Sequence, residues 1–479
     1  MTYKHGVYSS EVPTGLLPPV SVDSAVPFVV GTAPVHMLED GIGPVEEVTM
    51  IYSYSEAVST FGYSDDWEKY SLCEFVKSQF ALFSVCPILF VNVFDPSIHQ
   101  TEMDAADFKF SSDEILLSPG IIDGSVEIKS KDVTPVTFVM GEDYDVDLIN
   151  GKIIRISTGS IASEADVSVA FTVGDPSKVT EFDIIGGVDA ETGKLKGLEL
   201  VNGTYPKYRT LPGLIVSPGW SHKSAVAAVM TAKAKSINQI FSCLALIDLD
   251  DSVVQKYSDA PLEKNTNNFM DPAQIVCWPK VKLGSETFHL STQLAGLIAR
   301  TDSENSGVPY VSPSNHNLQI DSCVADGETV WLQLEQANYL NGQGIVTALN
   351  FSGGWKLWGN RTACYPANTD PKDAWICTRR MFKWIGNTLI LTFWSKIDAP
   401  ANRRLIETIL GSAQMWLDGL VARQFLLGAT VEFRSDENSV LDLMDGVQKF
   451  HVLMTPPSPA RDIEFIQEYD PANFEAVFK

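Results

Sequence analysis

The chain has 479 residues, 45% of them hydrophobic and 20% charged, with a formal net charge of −25 at pH 7. That length holds about three ordinary domains, and the composition excludes a disordered chain. The negative charge argues against nucleic acid as a partner, because phosphates repel such a surface.

The charge is uneven. Residues 101–200 hold 20 acidic and 8 basic residues, whereas residues 351–430 hold 5 acidic and 10 basic ones, so the later section is suited to face something acidic. The longest apolar runs, "PILFVNVF" and "QIFSCLALIDL", fall short of the roughly 18 residues of a membrane span. The opening "MTYKHGVYSSEVPTG" lacks the basic start and apolar run of a secretory signal. The expectation is a chain made and assembled in the cytoplasm, without direct membrane insertion. Seven scattered cysteines, an odd number with no CxxC, read as reduced, buried thiols; Cys86, Cys243 and Cys277 sit in apolar contexts.

In chain order, residues 1–22 read as an extended arm, with a short β patch from Val7 to Val12 before Pro- and Gly-rich chain. From Asp23 the pattern is α/β. "VPFVVGTAP" predicts a buried strand, "SLCEFVKSQFALF" a helix, and "CPILFVNVF" a strand covered on both faces. Residues 104–180 change to short alternating strands ("GSVEIKS", "VTFVM", "DVDLINGKIIRIST", "ADVSVAFTV"), with Asn150–Gly151 as a two-residue hairpin turn. The α/β pattern returns in "LPGLIVSPGW", the helical "SHKSAVAAVMTAKAKS", the strand "QIFSCLALIDL" and a further strand at "VPYVSPS".

A third section begins near Trp355. Asp398 and Pro400 are expected to start a helix over 402–427 and Gly428 to stop it, with Leu405, Ile409, Ala413, Trp416, Leu417 and Leu420 on one face. "ATVEFRS" and "QKFHVLM" read as strands, and "ARDIEFIQEYD" alternates as another, with Ile463, Phe465, Gln467 and Tyr469 on one side. The fold class expected is a multidomain α/β (α+β) protein. Its divisions are an arm over 1–22, a helix-covered sheet core over 23–103 and 181–354, an inserted all-β domain over 104–180, a C-terminal α+β domain over 355–455, and a second arm over 456–479.

Catalytic signatures are missing: there is no HExxH, GxxxxGK[ST], GxSxG, or GxGxxG after a strand. Ser221 beside His222 is read as a helix cap, since adjacent residues there rarely face each other. "DYDVDLING" has Leu148 where a calcium loop needs glycine. "IDLDD" places Asp248, Asp250 and Asp251 at the carboxyl end of a core strand, where an α/β sheet can bind a ligand. A Mg-dependent enzyme centred on Asp248 and Asp250 is therefore one competing reading. A receptor-binding or baseplate component, with 104–180 as the adhesive module, is another. The dispersed histidines show no metal-ligand spacing, so no cofactor is expected.

"HGVYSSEVPTGLLPPVSVDSAVPFVVGTAP", "LPGLIVSPGWSHKSAVAAV", "CLALIDL", "VPYVSPSN", "GWKLWGNRTA" and "PARDIEFIQEYDPANF" together resemble the contractile tail sheath proteins of phages and related injection systems. Trp358, Gly359, Arg361 and Thr362 are the most recognisable signature positions. The resemblance covers about three quarters of the chain and leaves out 104–180. It implies a structural protein, not an enzyme, in the tail of a virion or similar particle. Its subunits would polymerise as stacked hexameric rings around an inner tube, with tube, baseplate and tail terminator proteins as partners. It further implies that terminal arms add strands to a neighbour's sheet, which assigns arm contacts to Val7, Tyr8, Glu11, Val12, Ile463, Phe465, Tyr469 and Phe474. An outward acidic insert and a tube-facing basic section would follow, with Arg403, Arg404 and Arg423 toward the tube.

Overall fold

The structure, a computed structural model, describes residues 24–38, 42–148, 150–470 and 473. Its centre is an eight-stranded sheet in the order Thr49–Ile51, Ile88–Asn92, Pro27–Gly31, Leu214–Val216, Leu244–Asp248, Gln274–Cys277, Ile345–Asn350, Trp355–Trp358. The six inner strands run parallel, and an antiparallel strand closes each side. Pro27–Gly31, Ile88–Asn92 and Leu244–Asp248 are buried at every position. Successive side chains in a strand point to opposite faces, so both faces of the sheet are covered. The helices Ser224–Lys235 and Leu290–Glu304 pack against its central strands.

The segment read as one helix at 71–83 is an α-helical turn over Ser71–Val76 that continues as a π-helix over Lys77–Phe83. Gly296 of the Leu290–Glu304 helix lies against this π-helix so closely that a Cβ there would fall within contact distance of Phe83 and Gln79. The long helix Ile376–Phe393 has no counterpart in the sequence reading.

Residues 100–174 form two three-stranded sheets around their own apolar cluster, which includes Phe110, Ile128, Tyr144, Ile153 and Val169. The strand Gln100–Lys109, which sequence reading did not find, is this unit's longest and pairs with Asp166–Gly174. The Asn150–Gly151 turn lies in a four-residue loop, because Asp147 pairs with Lys152. The Asp147 carboxylate accepts from the Asn150 backbone N–H and side chain, and Gly151 takes φ 64°. This local Asx arrangement replaces the expected two-residue turn.

Other expectations also change. "VPYVSPS" forms turns and no strand; Pro309 and Pro313 remove two of the donors that a ladder needs. The section expected to begin at Trp355 opens with the last strand of the main sheet. The next long helix is Arg403–Ala422. Its cap is Asn402, whose side chain accepts from the Leu405 N–H at 2.9 Å, and not Asp398 or Pro400. The chain turns out of it at Gln424 with φ 63°, four residues before Gly428, which starts a strand. Ala413, Leu417 and Leu420 of its expected apolar face are buried, and Trp416 packs on Trp384. Six cysteines are buried, but Cys86 is exposed just ahead of the Ile88–Asn92 strand, which corrects its expected burial.

Candidate functional site

The carboxyl end of the main sheet holds the acidic cluster that favoured an enzyme. Asp248 is buried and already committed: it accepts from the Ser221 hydroxyl, the Ser291 hydroxyl, and the Ser291 N–H at 3.0 Å. Ser221 is therefore a ligand of Asp248 and not a helix cap; Lys223 holds the cap position. Asp250 turns away to accept from the Ser252 N–H and hydroxyl, and Asp251 pairs with Lys280 at 2.8 Å. Burial opposes the charge on Asp250, but the Ser252 hydrogen bonds outweigh it and its carboxyl sits below the usual range. Among the described residues no group of three His, Cys, Asp or Glu side chains converges on a metal position. The cluster joins elements of the core and leaves no carboxylate pair directed at a substrate.

Where the strand order reverses, between Pro27–Gly31 and Leu214–Val216, the segments that follow the strands are tied to one another. Ser217 donates to the Val30 carbonyl at 2.9 Å, and the Leu72 N–H donates to the Thr32 carbonyl at 3.0 Å. This is where an open α/β sheet would bind a ligand, and here these hydrogen bonds join parts of the core.

The unsatisfied features lie elsewhere. Gly428–Glu432 and His451–Thr455 form an antiparallel sheet of only two strands. Gln414 covers one edge, donating to the Ala429 carbonyl at 3.1 Å and accepting from the Val431 N–H at 2.9 Å. The other edge, that of His451–Thr455, has no strand beside it among the described residues. Such an edge is a template for another chain. Nearby in sequence, Val440, Leu441, Met444 and Leu453 expose apolar side chains.

The terminal segment does not fill this edge. Residues 456–470 carry no ladder, and the expected strand at 461–469 has no partner among the described residues, so the hairpin with 448–454 does not form. Ile463, Phe465 and Tyr469 are 71%, 86% and 76% exposed. Pro456, Pro457 and Pro459 stand between this segment and the edge strand; each lacks a donor and fixes its own φ. Val7, Tyr8, Glu11, Val12 and Phe474 lie outside the described residues.

The signature positions form the turn that leaves the main sheet. Trp358 donates to the Asn338 side chain at 2.9 Å. Gly359 has φ 148°, and a Cβ there would meet the Val346 backbone, so only glycine fits. The Arg361 guanidinium lies 3.4 Å from the Trp375 ring centre and 4.3 Å from that of Tyr365. Thr362 is buried and donates to the Asp373 carbonyl at 2.6 Å. Arg403, Arg404 and Arg423 are exposed, and Arg403 pairs with Glu407 on its own helix. At 1.5 Å per residue, Arg423 lies about 30 Å along the helix from Arg403, so the three do not form one patch.

No protein-family model matches the chain. It is 28% identical over 478 residues to the tail sheath protein of Burkholderia phage BcepMu, covering 97% of this chain and 96% of that one. Among solved structures it is similar to the sheath of the extracellular contractile injection system PVC in its contracted state, with a TM-score of 0.60, 13% identity and 99% of each chain covered. The contracted helical sheath of the anti-feeding prophage gives a TM-score of 0.59 at 16% identity, covering 98% of this chain and all of that one. The chain is thus similar to a tail sheath protein over nearly its whole length and shares the fold of contractile injection system sheaths.

Proposed function

We propose that the chain is a non-enzymatic structural subunit that stacks as hexameric rings around an inner tube and contracts to drive that tube through a bacterial envelope. The observation that carries this reading is the combination of an open strand edge at His451–Thr455 with a segment at 461–469 that exposes Ile463, Phe465 and Tyr469 and has no strand partner among the described residues. Each feature is the complement of the other, and within one chain they do not meet. Between copies, main-chain hydrogen bonds would set the register and alternate side chains would set the grip. Burying Ile463 and Phe465 contributes about 1.5–3 kcal/mol each.

Arms of this kind hold neighbours together while the cores rotate and slide past one another. In this reading the N-terminal arm is the second such link, and residues 104–180 face outward from the lattice. The basic 351–430 section faces the tube, through the Arg403 and Arg404 end of its helix or through Arg423. Tube, baseplate and tail terminator proteins are the partners.

Negative-stain electron microscopy of the full chain beside a chain stopped after Pro457 tests this. Hollow cylinders or stacked rings from the first, lost in the second, support it. Equal behaviour of the two as folded monomers refutes it.

A further inference from the structure

The inserted β unit enters at Gln100 and leaves at Gly174, and these two residues pair with each other. It has an apolar cluster of its own, which allows it to move as one body about that junction. The core side chain fitted against it there is His36, in the short 3-10 helix Val35–Met37 that follows the strand Pro27–Gly31. His36 is only 3% exposed, and its ring lies against two glycines of the insert. A Cβ on Gly120 would fall 3.1 Å, and one on Gly174 2.7 Å, from its Nε2. The Gly174 N–H donates to the Gly120 carbonyl at 2.9 Å, which ties the two walls of this slot together. On the core side the ring packs on Phe94 and Tyr70, with centres 5.2 and 6.3 Å apart.

The slot suits a neutral ring. Neither His36 nitrogen has a hydrogen-bond partner among the described residues, so an imidazolium there would be a buried charge with nothing to compensate it. The titratable groups around the slot are committed elsewhere. His99 stacks on Phe94, and its Nε2 lies 3.8 Å from Asp183. The Asp95 carboxylate accepts from Ser97, and that of Asp175 accepts from Thr101 and Ser177. Tyr70 is the remaining group and is itself buried. Burial accordingly lowers His36 from 6.5 to about 4, and the Gly120 backbone offsets this only in part.

We propose that His36 is an acid-released latch: neutral, it holds the insert on the core, and protonated, it leaves the slot and lets the insert swing about Gln100 and Gly174. The inference does not depend on the sheath reading. The open form takes up its proton near pH 6.5, whereas the closed form resists protonation down to about pH 4. Closure is therefore fully favoured above pH 6.5, and opening becomes about tenfold easier for each pH unit below it until about pH 4.

The test is hydrogen exchange of the full chain from pH 7.5 to 4.5, corrected for the intrinsic pH dependence of exchange and read by mass spectrometry. The amides of Gly174 and Asp175 report the junction, because they donate to the Gly120 and His99 carbonyls. In wild type their protection is expected to fall about tenfold per pH unit below 6.5, while the core strand Ile88–Asn92 stays protected. His36→Phe puts a ring that cannot titrate in the slot and is expected to keep the junction protected throughout; His36→Met replaces it if the larger ring prevents folding. Gly174→Ala fills the slot and is expected to expose the junction already at pH 7.5, with the core strand unchanged. Junction protection in wild type that does not vary with pH overturns the proposal. So does a folded position-36 variant that loses protection as wild type does, since Asp175 or Asp183 would then be the titrating group. A Gly174→Ala junction as protected as wild type at pH 7.5 overturns it as well.

Discussion

Arg380 grips Asp302 through both carboxylate oxygens, with side chains only 3% and 4% exposed, although the two lie far apart in sequence. The same pair holds the start of the described chain: Arg380 donates to the Ser24 carbonyl at 3.2 Å, and the Ser24 hydroxyl donates to Asp302. The long Ile376–Phe393 helix, the Leu290–Glu304 helix and the root of the N-terminal segment are therefore tied at one point. Removing one partner leaves a buried, uncompensated charge. Asp302→Asn or Arg380→Met is expected to cost about 3–5 kcal/mol, while Asp302→Leu combined with Arg380→Met costs less than either. Denaturant midpoints of the three variants check this.

Gly296 sets how closely the Leu290–Glu304 helix approaches the π-helix over Lys77–Phe83. A methyl group there must displace the Phe83 ring, which is itself buried. Gly296→Ala is expected to destabilise by about 1–3 kcal/mol, despite alanine's better helix propensity. Thermal denaturation decides between these opposed effects.

Most of the core was legible in the sequence. "PFVVG", "ILFVN" and "LALID" are short, nearly unbroken apolar runs, and all three are buried parallel strands. The Ile376–Phe393 helix was not legible because its buried face includes Thr378, Arg380, Lys383, Asn387 and Thr388, which blur the apolar period. The strand Gln100–Lys109 was hidden for the opposite reason: it is acidic and largely exposed, with no hydrophobic alternation. At the terminal segment the alternation was readable, but the strand it implies has no partner among the described residues. A single sequence records the shape of such a segment and not its partner.

Lys264 is buried and donates to the Gln343 and Tyr365 carbonyls at 2.6 and 3.0 Å, with no carboxylate partner among the described residues. Burial lowers its ammonium from 10.5 to about 8. Between those values the unfolded chain holds a proton that the folded chain releases, so this group's contribution to stability rises with pH. The buried thiols, pushed upward by burial, act in the opposite direction. The informative quantity is therefore the difference between wild type and Lys264→Met. Wild type is expected to gain on the variant by up to about 1.4 kcal/mol per pH unit from pH 8 to 10, and by nothing between pH 6 and 7.

The central claim is that residues 461–469, without a strand partner among the described residues, become a strand in a neighbour's sheet. Hydrogen exchange followed by mass spectrometry, on the dispersed chain and on assembled particles of the same preparation, measures this directly. Amides of 461–469 and of the His451–Thr455 edge should exchange rapidly in the dispersed chain and become strongly protected together on assembly. Assembled particles in which 461–469 exchange as fast as in the dispersed chain would contradict the account.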